Sequence, residues 1–146
     1  MDPVARFVAY AAAFEVAYAT DDWSKIEPFF TEDAVYRPPP GFGEPIVGRA
    51  ALMVAFKAIV DASDRRFASR AVEVLDGPAL RDGVVWMRWA ATYTLPGAPA
   101  LRMVGEETAA FSGDRIQRLE DEMSDAEIGQ VQAYMARHAA LLAASG

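Results

Sequence analysis

The stretch Val84-Val85-Trp86-Met87-Arg88-Trp89-Ala90-Ala91-Thr92-Tyr93-Thr94, VVWMRWAATYT, decides how the rest of the chain must be arranged. β-Branched and aromatic residues at this density read as a strand, and side chains alternate across a strand. Val85, Met87, Trp89, Ala91 and Tyr93 therefore line one face, while Val84, Trp86, Arg88, Ala90 and Thr92 line the other. A strand that is apolar on both faces is central and must be covered on both. The chain's own helices can cover one side. A second copy is expected on the other, giving a homodimer packed through the sheet, of twofold symmetry.

Working outward, Phe67–Leu75, Leu101–Phe111 and Arg115–Met123 alternate in the same way. The breaks between these segments are Gly77-Pro78 with Asp82-Gly83, then Pro96-Gly97-Ala98-Pro99, then Ser112-Gly113-Asp114. Such short, turn-forming connections predict antiparallel neighbours. Upstream the period is helical. Asp2-Pro3 is an N-cap followed by a proline at the first helical position, and Val4, Phe7, Val8, Ala11, Phe14 and Tyr18 recur at helical spacing over residues 3–20. Asp22 can cap a short second helix from Trp23 to Phe30. Ala34 to Arg37 reads as a short strand, stopped by Pro38-Pro39-Pro40, with Gly41, Gly43 and Pro45 in the loop beyond. A third helix from Arg49 to Ala62 places Leu52, Met53, Phe56, Ile59 and Val60 on one side. At the far end Ser124-Asp125-Ala126-Glu127 is a capping box opening a last helix that buries Ile128, Val131, Met135 and Leu142. The order is three helices around one short strand, then four antiparallel strands, then a helix. It predicts an α+β fold with the helices on one face of a curved sheet.

Composition narrows the function classes. The 146 residues make one domain, 1–146, with a single core, and 53% apolar residues fit a globular chain. A net charge of −7 leaves no basic face for a polyanion, so no nucleic-acid partner is expected, and Arg65, Arg66 and Arg70 read as a solvated strand entrance. With no cysteine and one histidine, His138 on the last helix, thiolate sites, the usual zinc sets and a Ser-His-Asp triad lack their parts. Neither a metal nor a cofactor is expected. Asp2 and Glu15 spoil the opening stretch as a signal peptide, and no apolar run approaches the roughly 20 residues of a membrane span. The expected location is cytoplasmic, with no membrane partner.

The runs YATDDWSKIEPFFTEDAVYR, GRAALMVAF, VVWMRWAATYT and FSGDRIQRLEDEMS resemble the NTF2-like superfamily, and within it the SnoaL-like polyketide-cyclase domains, over about residues 5–124. The resemblance implies a cone-shaped half-barrel with three N-terminal helices on the concave face of its sheet, capping a deep apolar pocket. It implies less about the reaction, because the superfamily holds isomerases, epoxide hydrolases, dehydratases, cyclases and proteins without catalysis. Ketosteroid isomerase pairs a carboxylate base with a tyrosine and a protonated aspartic acid. Here the tyrosine position falls on Phe14 and the base position on Pro38, and only Glu107 matches the protonated acid. Against epoxide hydrolases of the limonene type, Tyr36 matches the tyrosine, Arg88 the arginine and Asp121 one aspartate. Ala90 replaces the other aspartate and Pro38 the asparagine. SnoaL itself is similar in an aspartate at the Asp121 position, although its assisting histidine has no counterpart on these strands.

Alternation reaches the same acids. In IQRLEDEMS, residues 116–124, Asp121 shares a face with Leu119 and Met123, whereas Glu120 and Glu122 share the other, a solvated face or dimer rim, with Arg118. In LRMVGEETAAF, residues 101–111, Glu107 alternates with Leu101, Met103, Ala109 and Phe111. An acid on an apolar face either moves its pKa towards neutrality or finds a partner. The expected catalytic set is Asp121 as proton carrier, Arg88 orienting it and Glu107 as a second acid. Tyr36, Trp86, Phe14, Met103 and Leu119 are the expected ligand contacts. An inward acid opposite an inward arginine is equally a buried ion pair that fixes register without chemistry. The function expected is binding of a small, mostly apolar oxygenated molecule with cofactor-free acid/base chemistry. The alternative is a non-catalytic ligand-binding or dimerisation module.

Overall fold

The computed structural model describes residues 1–145. Helix α1 spans Pro3–Thr20, and the Asp2 side chain accepts from the Val4 N–H at its start. Strand β1 spans Phe30–Arg37 and β2 Ile46–Val47, followed by α2 over Arg49–Ala62. Strands β3 Ser69–Arg81, β4 Val84–Thr94, β5 Leu101–Ser112 and β6 Arg115–Glu122 come next, then α3 Asp125–Arg137 and α4 Ala139–Ser145. The six strands form one curved, open sheet in the order β2-β1-β6-β5-β4-β3.

The α+β architecture matches the reading from patterning, with four local corrections. The segment after Asp22 is not a helix but two 3₁₀ turns, Trp23–Lys25 and Glu27–Phe29. Pro28 has no N–H for an α-helical ladder and biases Glu27 away from the α region. The strand therefore starts at Phe30 rather than Ala34. The sheet is mixed, because β1 lies parallel to β6, with Tyr36 opposite Leu119 and Arg37 opposite Glu120. Gly77-Pro78 does not end β3, which continues to Arg81 through two register irregularities. An edge strand tolerates proline because one row of its backbone groups needs no ladder partner. The C-terminal helix is broken at His138 into α3 and α4. Val131 and Leu142 are buried, Ile128 and Met135 half-buried.

The register arranges the concave face in rows. Val85, Ala109, Leu119 and Tyr36 form one row across β4, β5, β6 and β1. Met87, Glu107 and Asp121 form the next, Trp89 and Gly105 the third, Ala91 and Met103 the fourth, Tyr93 and Leu101 the fifth. Helices α1 and α2 close the first row with Phe7, Tyr10, Ala17, Leu52 and Phe56. Helix α3 closes the last rows through Val131, with Tyr134 and Met135 against it. Each large side chain buried in these clusters contributes about 1.5–3 kcal/mol. The acidic row lies between two separate apolar cores.

Helix α3 also completes the sheet. Beyond the end of β6, β5 has a free edge, and α3 side chains satisfy two of its groups and one in the loop that leads into it. Glu127 accepts from the Val104 N–H at 3.2 Å, Gln130 donates to the Arg102 carbonyl at 3.4 Å, and Tyr134 donates to the Pro99 carbonyl at 2.6 Å. Backbone groups on an uncovered edge need such partners. No described helix is long and apolar enough to cross a membrane.

Candidate active site

Asp121 and Glu107 stand opposite each other on β6 and β5, on the same face, and are hydrogen-bonded to one another. The register runs without irregularity from Glu106 to Ala110, so Glu107 points inward and Glu106 outward. From β1, Tyr36 donates its hydroxyl to Asp121 Oδ2 at 2.7 Å. Trp89, on β4, brings its indole N–H to the same carboxylate. Asp121 thus gathers three donors: a carboxyl, a phenol and an indole. Tyr10, buried on α1, comes close enough to feel the charge of both acids.

Burial disfavours the charged form of each group and dominates the electrostatics. It pushes Glu107 well above the ordinary carboxyl range, and the adjacent Asp121 charge pushes it further. Burial also raises Asp121, but the hydrogen bonds from Glu107, Tyr36 and Trp89 pull it back down. The pair is thus asymmetric: its neighbour raises Glu107 further, while hydrogen bonds oppose the rise of Asp121. Burial, with the neighbouring carboxylates, holds the Tyr36 and Tyr10 hydroxyls protonated well past their usual pKa. Among the described residues neither carboxyl has a cation as partner.

Both carboxyls are half-buried rather than sealed, as are Met87, Trp89, Met103 and Met123 around them. The pair is therefore within reach of solvent, among partly buried apolar side chains. Methionine gives the pair conformable apolar surroundings.

The sequence-predicted residues divide cleanly. Asp121, Glu107 and Tyr36 come together, with Leu119 buried in the row beside them. Arg88 does not join. It is exposed, and its row, Asp76, Arg88, Glu106 and Glu122, lies on the opposite face of the sheet. A residue one register step from the acid row cannot turn inward without breaking the strand pairing. Trp86 is on that outer face as well, with the Arg81 guanidinium 3.4 Å from its ring centroid. Phe14 packs edge-on to Tyr10, Trp23 and Phe56 rather than facing the acids. The tyrosine that approaches them from α1 is Tyr10, one turn earlier. Met103 lies two rows away, at the margin of the core under α3. Trp89 and Tyr10 are the members missed in the sequence, although both sit on inward faces. The basic cluster is absorbed by acids: Arg65 pairs with Asp61 and Asp21, and Arg70 with Glu15 and Asp64.

Residues 10–123 match the model of the SnoaL-like domain. The chain belongs to the SnoaL-like family. No curated protein matches the sequence. Solved structures share the fold of this SnoaL-like chain at low identity. TerC, co-crystallised with polyporic acid, is 13% identical with a TM-score of 0.65, over 86% of this chain and 96% of its own. A protein of ketosteroid isomerase-like fold from Catenulispora acidiphila, in complex with trimethylamine, is 18% identical with a TM-score of 0.61, over 82% and 88%. SalBIII, an epoxide hydrolase/cyclase-like enzyme in pyran ring formation, is 21% identical with a TM-score of 0.60, over 84% and 92%.

Proposed function

We propose that the protein binds a small, mostly apolar, oxygen-bearing molecule against this acid pair and moves protons on it without a cofactor. The observation that carries the reading is the Glu107–Asp121 pair: two carboxyls in contact, on one face, with no cation to neutralise them. Adjacent carboxyls in a poorly solvated site cannot both ionise, so one proton is shared and the pair offers an acid and a base together. Asp121 takes a proton from a carbon acid or a hydroxyl, and Glu107 delivers one to an oxygen. Hydroxyls that stay protonated, on Tyr36 and Tyr10, suit an oxygen on which negative charge develops. Ring closure and isomerisation both need this combination.

A second reading, a non-catalytic binding or dimerisation module, draws support from the aromatic filling at the narrow end. There Phe56 packs on Phe14, Trp23, Phe30 and Tyr36. Association of two copies through the sheet belongs to either reading. The exposed Val72, Val74, Leu75 and Leu80 of β3 support it.

A thermal-shift screen against ketones, epoxides, lactones and polycyclic phenols tests the binding half. A ligand that binds only the folded state raises the midpoint with its concentration. A family of related hits supports a site at the acid pair. No shift from any apolar oxygenated compound favours the dimerisation module.

A further inference from the structure

Gly105 lies in the middle of β5 and is not among the glycines with positive φ, so its backbone does not require glycine. Space requires it. A Cβ at this position would stand 2.5 Å from Cζ2 and 3.0 Å from Cε2 of Trp89, and 2.8 Å from the Glu122 carbonyl oxygen. Cε2 is bonded to the indole nitrogen, and Cζ2 is the benzo-ring carbon next to Cε2. The ring edge next to the N–H therefore rests directly on the β5 backbone, where Gly105 has no side chain, and from there the N–H reaches Asp121 on β6. Glycine within a strand often marks such a close approach. Asp121 is on that strand, one row away on the same face.

We infer that Trp89, laid across Gly105, is the positioning residue of the acid pair, its indole N–H fixing Asp121 as the charged acceptor and so leaving the proton on Glu107. The inference rests on the reading of Glu107 and Asp121 as an acid pair and adds how their roles are kept apart. The groups that face the pair are Tyr36 on β1, Tyr10 on α1 and Trp89 on β4. Of these, Tyr36 and Trp89 donate to Asp121, and neither is a cation. Without Trp89, Asp121 keeps only one donor besides Glu107, and the proton has less reason to stay on one side. A bulky wall alone would be met by any large side chain; a hydrogen bond to a charged group would not.

Carbon-13 titration of the two carboxyls, with proton–nitrogen spectra of the indoles, tests this on the intact chain and needs no substrate. The chain has three tryptophans, and Trp23 supplies an internal reference, since its Nε1 donates to exposed Asp21 at 3.0 Å. Hydrogen bonds hold Asp21 below the usual carboxyl range, so the Trp23 signal should move at acidic pH. The Trp89 signal should move at higher pH, in step with the pair. Trp89→Phe should remove that signal and raise the lower midpoint of the pair by about one to two pH units, the equivalent of a lost hydrogen bond to a charged group. Gly105→Ala should produce the same rise with the tryptophan still present. If Gly105→Ala fails to fold, Trp89→Phe decides alone. A Trp89 signal indifferent to pH, or unchanged midpoints in Trp89→Phe, would overturn the inference and leave the acid pair standing. Wild-type carboxyls that titrate independently near ordinary values would overturn both.

Discussion

Glu107 and Asp121 are members of one titrating unit, and this has a consequence for stability. Burial and its neighbour raise Glu107 in the folded protein relative to the unfolded chain, so the folded state holds its proton longer. That contribution is complete below about pH 4, the ordinary carboxyl value, and is lost as pH rises through the raised folded pKa. Glu107→Gln cannot lose a proton and still donates to Asp121. The melting temperature of the variant should therefore gain on that of the wild type steadily as pH increases, in melting curves taken from about pH 4 to about 9. A constant difference across that range would mean that Glu107 is ionised like any surface acid. Both acids are legible in the sequence because alternation alone puts them with Leu119, Met103 and Ala109. Arg88 is misplaced only when a family position is allowed to override parity, since the same alternation sets it opposite Met87 and Trp89. Trp89 is harder to find, because an inward tryptophan reads as packing until the glycine across from it is seen to clear its path.

Helix α3 and strand β5 hold the open end of the sheet together. Ser124 accepts from the Glu127 N–H at 3.2 Å, and Glu127 in turn accepts from Val104 on the β5 edge. The capping box therefore does two jobs with one glutamate. Ser124→Ala should cost about 1 kcal/mol in urea unfolding. It should also speed amide exchange at Val104; protection unchanged there would show that the edge does not depend on the cap. Helix α2 supports the site from the other side through Phe56, whose ring lies 5.1 Å from that of Tyr36. Phe56→Ala should cost about 3–5 kcal/mol. Phe56→Leu should recover much of this, as a smaller cavity does. The helices α1, α2 and α3 are legible from capping residues and period, which are local. The parallel pairing of β1 with β6 is not, because no turn joins them and nothing near either strand records the other. The 3₁₀ turns around Pro28 fall between, since the apolar residues there fit a helix while the proline forbids its ladder.

At the scale of the whole molecule, the two apolar cores lie on either side of a row that holds both buried acids. Desolvating two carboxyls destabilises a fold, and among the described residues no cation partner of the pair offsets it. A purely structural use would be served better by apolar side chains in that row. The arrangement is intelligible as a site whose proton chemistry needs poorly solvated acids and adaptable apolar surroundings. The most direct measurement is turnover of compounds that bind, followed by mass spectrometry, in the wild type, Asp121→Asn and Glu107→Gln, with folding checked by circular dichroism. We expect conversion by the wild type and a loss of about 10²–10⁴-fold in each variant, the range for removal of a general acid or base. Binding without conversion by the wild type, or equal conversion by all three proteins, would contradict the assignment of acid/base chemistry to this pair.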